Sequence, residues 1–206
     1  MKTSILIFDG ITALDAIGPY EVLSRPPGWE VEFVGKARGE VRSDSGALGL
    51  SADRSLDEVE ETDIALVPGG KGNRRLLEDE AVLGWLRRLD EQSTWTTSVC
   101  TGSLVLGAAG LLQGKRATGH WLHLERLREY GAEPVRERWV EDGKLMTAAG
   151  VSAGIDMALY LLGREAGPEA AQAVQLGIEY DPKPPFDAGS PEKAPAAIVD
   201  ALSGRS

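Results

Sequence analysis

The chain is organised around the stretch Thr94-Trp95-Thr96-Thr97-Ser98-Val99-Cys100-Thr101-Gly102-Ser103-Leu104-Val105-Leu106. Its first part is typical of a buried β-strand, and its last part begins a run rich in glycine, alanine and leucine that is typical of a helix. The one cysteine of the chain, Cys100, lies where the two patterns meet. The stretch therefore predicts a β-strand, a sharp turn at Cys100 and an α-helix.

Such a turn gives a cysteine a special environment. In an α/β sheet it lies above the carboxyl ends of the strands, where ligands bind. At the start of a helix, unpaired N–H groups and the helix dipole favour a thiolate over the thiol, whose usual pKa is about 8.5. We therefore expect Cys100 to have a lowered pKa and to oxidise readily to a sulfinic acid. The ordinary alternative is that Cys100 only fills space in the core as a small hydrophobic side chain.

The composition is that of one globular domain. The 206 residues, 42% of them hydrophobic, are enough for one substantial core, so we expect a single domain over 1–206. A net charge of −10 argues against nucleic acid as a partner. No apolar run approaches the roughly 20 residues of a membrane helix, and the start of the chain lacks a signal-peptide pattern. A single cysteine suits a reducing cytoplasm, and with two histidines it offers no zinc-binding spacing.

Apolar runs separated by helical patterns predict a parallel sheet. Strands are expected at 4–8, 30–34, 63–67 and 94–99, hairpins within 40–50 and 135–147, and helices at 80–90, 120–130 and 152–165. Because strands that alternate with helices are joined by right-handed crossovers, we predict an α/β fold with a single doubly wound, mostly parallel sheet between layers of helices.

Three connecting segments bear on the site. Gly18-Pro19 is expected to break the helix that follows Thr12 into two. Pro68-Gly69-Gly70-Lys71-Gly72 predicts a loop whose backbone N–H groups approach a ligand, although a plain turn would use the same residues. The residues from about 181 onward are rich in proline, alanine and glycine, and they predict an extended tail over the surface.

The stretch from Ser98-Val99-Cys100-Thr101-Gly102 to Arg116-Ala117-Thr118, with His120-Trp121 after it, resembles the cysteine turn of the DJ-1/PfpI superfamily, and within it the isocyanide hydratase branch. The chain departs from the pattern of that branch at Gly119, where a threonine is expected. The resemblance implies a flavodoxin-like fold, related to the class I glutamine amidotransferases, over nearly the whole chain. Four other segments are also similar to the branch: Leu14-Asp15-Ala16-Ile17-Gly18-Pro19, Val67-Pro68-Gly69-Gly70, Gly154-Ile155-Asp156 and Pro185-Phe186-Asp187-Ala188-Gly189-Ser190-Pro191.

The resemblance implies a cofactor-free and metal-free hydratase that acts on a small molecule. It implies that Cys100 attacks the terminal carbon of an isocyanide and that Asp15 carries the proton, so that water yields an N-substituted formamide. Thr101 would offer its hydroxyl to substrate or water and its N–H to developing charge, and Gly70 would be a second backbone donor. A homodimer is also implied, with Gly18-Pro19 and the cysteine turn near the interface.

Other hypotheses remain open at this point. Taken alone, Asp15 is typical of a helix-cap or turn acid, and His120 is expected to make a structural hydrogen bond rather than to pair with Cys100. A glyoxalase- or deglycase-like relative would use the same thiol, but that branch carries a glutamate where Asp15 stands. A third hypothesis is a non-enzymatic thiol sensor that resembles the amino-terminal half of some transcription regulators. The segment after 181 is too short to hold a helix-turn-helix.

Overall fold

The computed structural model describes residues 1–204, and its centre is a seven-stranded sheet. The strands of this sheet are β1 (Lys2–Leu6), β2 (Glu30–Gly35), β5 (Arg54–Ser55), β6 (Ile64–Val67), β7 (Trp95–Val99), β10 (Trp139–Asp142) and β11 (Leu145–Ala148). Two small sheets accompany it, made of β3 (Gly39–Arg42) with β4 (Gly49–Ala52) and of β8 (Arg116–Ala117) with β9 (Glu133–Pro134).

The strand order in the large sheet is β10-β11-β7-β6-β1-β2-β5. All neighbours are parallel except β10 and β11, which form an antiparallel hairpin at one edge. From β1 the chain continues to β2 on one side, and from β6 it continues to β7 on the other side. The direction in which successive strands are added to the sheet therefore reverses between β1 and β6. Ligands of such sheets bind at this reversal, outside the carboxyl ends of the strands.

Helices cover the sheet. The α-helices are α1 (Ala13–Leu23), α2 (Glu80–Gln92), α3 (Gly102–Ala108), α4 (Ala153–Ala166), α5 (Pro168–Gly177) and α6 (Ala196–Ser203), and 3-10 helices span Leu56–Glu58, Lys71–Glu78 and Trp121–Tyr130. The crossovers through α1 and α2 run in opposite directions along the sheet, so right-handed connections put these two helices on opposite faces. In accord with this, α1 packs on α4, and α2 packs near α3. The predicted doubly wound α/β fold is confirmed.

The core lies between the sheet and these helices. The inward side of α2 carries Val82, Leu83, Trp85, Leu86 and Leu89, all buried. Each such side chain contributes about 1.5–3 kcal/mol relative to exposure. The Trp85 indole N–H also donates to the Val59 carbonyl at 3.1 Å, so the largest of these side chains is buried without an unpaired polar group.

The predicted break at Gly18-Pro19 is wrong, because α1 is one helix with Pro19 inside it. A proline within a helix removes a backbone hydrogen bond and costs about 3 kcal/mol. Packing on α4 outweighs this cost: a side chain on Gly18 would lie 2.9 Å from Ile155, and one on Gly154 would lie 3.1 Å from Pro19. Gly18 and Pro19 are therefore buried within the chain itself.

The expected extended tail is also only partly correct. From Asp181 the chain first runs without regular structure, but it then forms α6, a helix that the composition did not predict. Neither α5 nor α6 has a buried residue, and the hydrophobic core contains no residue beyond Leu162. Within residues 1–204, no helix combines the length and apolar character needed to cross a membrane.

Candidate active site

Cys100 occupies a strained turn at the carboxyl end of β7, followed directly by α3, as the sequence predicted. Its φ of 60° lies in the left-handed region that non-glycine residues rarely adopt. The Cys100 N–H donates to the carbonyls of Ala148 at 3.1 Å and Ala149 at 3.0 Å, which ties the turn to β11. A Cβ on Gly102 would overlap the Val67 carbonyl oxygen, so only glycine lets the turn sit this close to β6.

The carboxyl group of Asp15 lies next to this turn and is fully buried. Its Oδ2 accepts a hydrogen bond of 2.8 Å from the Gly69 N–H. Its Oδ1 has no hydrogen-bond partner among the side chains and backbone of residues 1–204. Burial raises the pKa of Asp15 from 3.8 to about 7, although the Gly69 hydrogen bond and the interaction with Cys100 act in the opposite direction. A carboxyl with this pKa can both give and take a proton near neutral pH.

Cys100 shows the opposite of the lowered pKa that its position before a helix predicted. The residue is only 5% exposed, and burial raises the pKa of its thiol to about 12, with the charge of Asp15 as the next cause. The backbone N–H groups of Thr101 and Val151 lower the pKa but do not compensate. Since oxidation follows thiolate character and exposure, the burial of Cys100 and its raised pKa both act against ready oxidation. Cys100 instead depends on a base to remove its proton, and Asp15 is adjacent.

Thr101 and the glycine loop after β6 form the other wall of the site. The Gly70 N–H donates to Thr101 Oγ1 at 3.1 Å, and Asn73 Nδ2 donates to the Thr101 carbonyl at 3.0 Å. Because Oγ1 accepts from Gly70, its own proton remains available for another acceptor. A Cβ on Gly69 would lie 2.5 Å from Thr101 Oγ1 and 3.0 Å from Asp15 Oδ2, so this loop fits the site only without a side chain.

Gly69 and Asn73 are site residues that the sequence reasoning missed. Gly69 lies in the glycine loop noted in the sequence, but only its neighbour Gly70 was predicted to donate a hydrogen bond in the site. Nothing in the local pattern marked Asn73, because its contact is with a residue 28 positions further along the chain.

A cavity of about 510 Å³ opens over Cys100. Cys100, Thr101 and Gly70 all line it, and Asp15 interacts with Cys100 without lining the cavity itself. The lining also includes Thr12, Asp44, Lys71, Asn73, Arg74, Leu104, His120, Leu122, His123 and Arg126. A volume of this size is typical of sites for small molecules.

His120 lies in the cavity wall, where its Nδ1 accepts a hydrogen bond of 3.3 Å from the Leu122 N–H. Burial lowers the pKa of His120, and His123 adds to the effect, so the ring is neutral near pH 7. The residues described show no hydrogen bond between His120 and Cys100, in agreement with the structural role expected from the sequence.

Gly119 stands where the resemblance leads us to expect a threonine, and a side chain at this position has little room. A Cβ at this position would overlap Ser103 Oγ and lie 2.9 Å from the Cys100 carbonyl oxygen. The Ser103 hydroxyl itself donates to that carbonyl at 3.1 Å. A threonine at 119 would therefore disturb the turn at Cys100.

Metal ligands do not gather at this site. Across residues 1–204, no three histidine, cysteine or acidic side chains come together in a way that could hold a metal ion.

The fold and this site define a member of a known family. The model of the DJ-1/PfpI family matches residues 1–164, and the chain belongs to that family. A relative within it is the isonitrile hydratase of Pseudomonas putida, 48% identical over 200 residues, which are 97% of this chain and 87% of the relative.

Two further comparisons place the chain within the family. The crystal structure of a ThiJ/PfpI family protein from Pseudomonas syringae superposes with a TM-score of 0.96 at 35% identity, over 98% of this chain and 84% of that one. The transcriptional regulator CdhR of Pseudomonas aeruginosa is 35% identical over 138 residues, but these are 66% of this chain and only 40% of the regulator.

Proposed function

We propose that this chain is a cofactor-free isocyanide hydratase that adds water to an isocyanide to give an N-substituted formamide. The observation that carries the proposal is the buried Asp15 carboxyl, with a pKa near 7 and one unpartnered oxygen, beside the thiol of Cys100. The name of the Pseudomonas putida relative, with isonitrile meaning isocyanide, supports the choice of substrate.

The first step joins the thiol to the substrate. Asp15 Oδ1 takes the proton of Cys100 as the sulfur attacks the terminal carbon of the isocyanide, and a C–S bond forms. Asp15 then delivers the same proton to that carbon. The product is a covalent thioimidate, in which the former terminal carbon carries both the sulfur and a hydrogen.

The second step uses water. Asp15, now a carboxylate again, takes a proton from a water molecule whose oxygen attacks the thioimidate carbon. The C–S bond then breaks, and of the two water protons one ends on nitrogen and the other on the sulfur of Cys100. The sum is isocyanide plus water giving formamide, with the thiol restored.

In this mechanism Thr101 and Gly70 stabilise developing charge and hold the substrate. The Gly70 N–H is engaged with Thr101 Oγ1, so we propose that it orients the hydroxyl, which in turn donates to the substrate nitrogen or to water. This assigns Gly70 a positioning role in addition to the direct donation that the resemblance implies.

The test is an assay of the purified chain with two substrates in separate reactions. The N-substituted formamide is measured with an aromatic isocyanide, and lactate is measured with methylglyoxal. A hydratase makes formamide and little lactate. Lactate without formamide would favour the glyoxalase-like alternative, and neither product would favour a sensor. Asp15→Glu sharpens the comparison, because it keeps the acid but moves it by one methylene within a fully buried site. We expect this variant to remain folded and to lose isocyanide turnover.

Two further expectations from the sequence stay proposals. We propose that the chain acts as a homodimer, with Gly18-Pro19 and the cysteine turn close to the interface. A cytoplasmic location, with no nucleic acid or membrane partner, is proposed on composition alone.

A further inference from the structure

The cavity over Cys100 has an unusual charge for this protein. The chain as a whole carries a net charge of −10. The cavity lining nevertheless contains the three cations Lys71, Arg74 and Arg126 and a single acid, Asp44. The site is therefore a positive region on an acidic protein.

Most of this positive charge is not neutralised by a partner. Lys71 and Arg74 form neither an ion pair nor a side-chain hydrogen bond within residues 1–204. The partner of Arg126 is Glu129, one turn along its own helix at 3.7 Å, in a mostly exposed pair that holds the guanidinium weakly. Among the other lysines and arginines of residues 1–204, only Arg75 and Arg88 also lack an acidic partner, so two of the four unpaired cations line this cavity.

Arg74 and Arg126 both lie within electrostatic reach of His123, another residue of the cavity wall. Burial lowers the pKa of His123, and the charges of Arg126 and Arg74 lower it further, so both guanidinium groups act on one ring. They come from different 3-10 helices, Lys71–Glu78 and Trp121–Tyr130. The acid opposite them, Asp44, already accepts a hydrogen bond of 2.7 Å from the Thr12 hydroxyl.

The thiol and the cations occupy different depths. Cys100 and Thr101 are nearly buried at the inner end of the cavity, whereas Lys71 and Arg74 are exposed at its mouth and Arg126 is half-buried. A substrate that places its isocyano carbon on Cys100 therefore directs its other end toward the positive charges.

We propose that the cavity selects isocyanides that carry an anionic group at the end remote from the isocyano carbon. The proposal rests on the hydratase function above and names its substrate class. Arg74, Arg126 and Lys71 recognise the anion, and an acidic protein without this local positive region would instead repel such a substrate.

The test compares two isocyanides that differ only in charge, 4-isocyanobenzoate and its methyl ester. We expect kcat/KM to be about tenfold higher for the carboxylate at low ionic strength, and the preference to shrink in 0.5 M salt as the charges are screened (about 3 Å Debye length at 1 M). Arg74→Ala and Arg126→Ala should each reduce the preference severalfold while leaving kcat/KM for the ester near the parent value.

Arg75→Ala is the matched control. Arg75 lies beside Arg74 in the same 3-10 helix and is exposed, but it does not line the cavity. This variant should keep the full preference. Equal kcat/KM for carboxylate and ester in the parent protein, or an equal loss in Arg75→Ala and Arg74→Ala, would overturn the proposal.

A binding experiment separates this proposal from the hydratase function. The two reaction products, 4-formamidobenzoate and its methyl ester, are titrated calorimetrically into the Cys100→Ser protein. If the carboxylate binds more tightly than the ester, and Arg74→Ala weakens its binding, the cavity is anion-selective. This result would support the proposal even if neither isocyanide is turned over, and only the hydratase function would then fail. Turnover of both isocyanides without any preference in rate or binding would leave the hydratase and remove the anion selectivity.

Discussion

Replacing Asp15 by asparagine should make the protein more stable and much less active, and the gain in stability should depend on pH. Asparagine is nearly isosteric with aspartate, and its carbonyl oxygen can still accept the hydrogen bond from Gly69. The substitution removes the charge and the transferable proton, and it places an NH₂ group at the position of Oδ1. Since the carboxyl is fully buried, removing its charge also removes the cost of keeping a carboxylate out of water.

The magnitude follows from the raised pKa of Asp15, from 3.8 to about 7 in the folded protein. Between these two values the folded state binds more protons than the unfolded state, so stability is greatest below pH 3.8 and is lost as pH rises to about 7. The full loss is about 4 kcal/mol, at 1.36 kcal/mol per pKa unit. Asparagine does not titrate, so the advantage of Asp15→Asn should grow by about 2–3 kcal/mol between pH 5 and pH 8.

Urea denaturation of both proteins at pH 5 and pH 8 measures this difference, and melting temperatures should move in parallel by about 2–4 °C per kcal/mol. Asp142→Asn is a control, because hydrogen bonding to the Arg116 N–H lowers the pKa of this half-buried carboxyl instead of raising it. Its effect on stability should therefore be the same at both pH values.

Turnover of an aromatic isocyanide by Asp15→Asn should fall roughly 10²–10⁴-fold, as expected when a general acid–base group is lost. An Asp15→Asn protein that is less stable by the same amount at pH 5 and pH 8, and that hydrates isocyanides at the parent rate, would refute the reasoning. Asp15 would then be a structural cap, and His120 would return as a candidate acid.

Four other predictions concern the site and the assembly. Cys100→Ala and Cys100→Ser should abolish hydration without unfolding the chain, since a smaller side chain fits the same turn; measurable turnover in either variant would exclude a covalent thioimidate. Cys100 should react with hydrogen peroxide no faster than an ordinary buried thiol, because burial raises its pKa to about 12. Mass spectrometry measures the reaction, and rapid conversion to sulfinic acid would contradict a raised pKa. Thr101→Val should lower kcat roughly 10–100-fold while Thr101→Ser retains most activity, because only the hydroxyl that Gly70 orients is needed; equal rates for the two variants would argue against that role. Light scattering at micromolar concentration should give twice the mass of one chain, and a fully active monomer would contradict the proposed dimer.

Much of the fold could be predicted from local patterns. Strand-like runs, the hairpins and the helices after 80 and 152 lie within a few residues of their expected positions, because alternation and apolar periodicity report which side of a segment is buried. The turn at Cys100 was also predictable, since a strand pattern ends there and Gly102 begins a helix pattern. Two predictions of the fold were wrong. The helix break expected at Pro19 is absent because packing on α4 holds the helix, and α6 was not predicted because it has no buried face that would produce a pattern.

By itself, the sequence determined the order of the elements, the position of the single cysteine at a strand-to-helix turn and the acid, Asp15, that precedes it by 85 residues. Only the tertiary structure decided what these groups do. The thiol has a raised rather than a lowered pKa because segments remote in sequence exclude water from it, and desolvation then exceeds the effect of the short helix α3. The same is true of the charge of the cavity. Lys71, Arg74 and Arg126 form one positive region only because two 3-10 helices, remote in sequence, line the same cavity. Electrostatic energies depend on distance and burial rather than on separation along the chain.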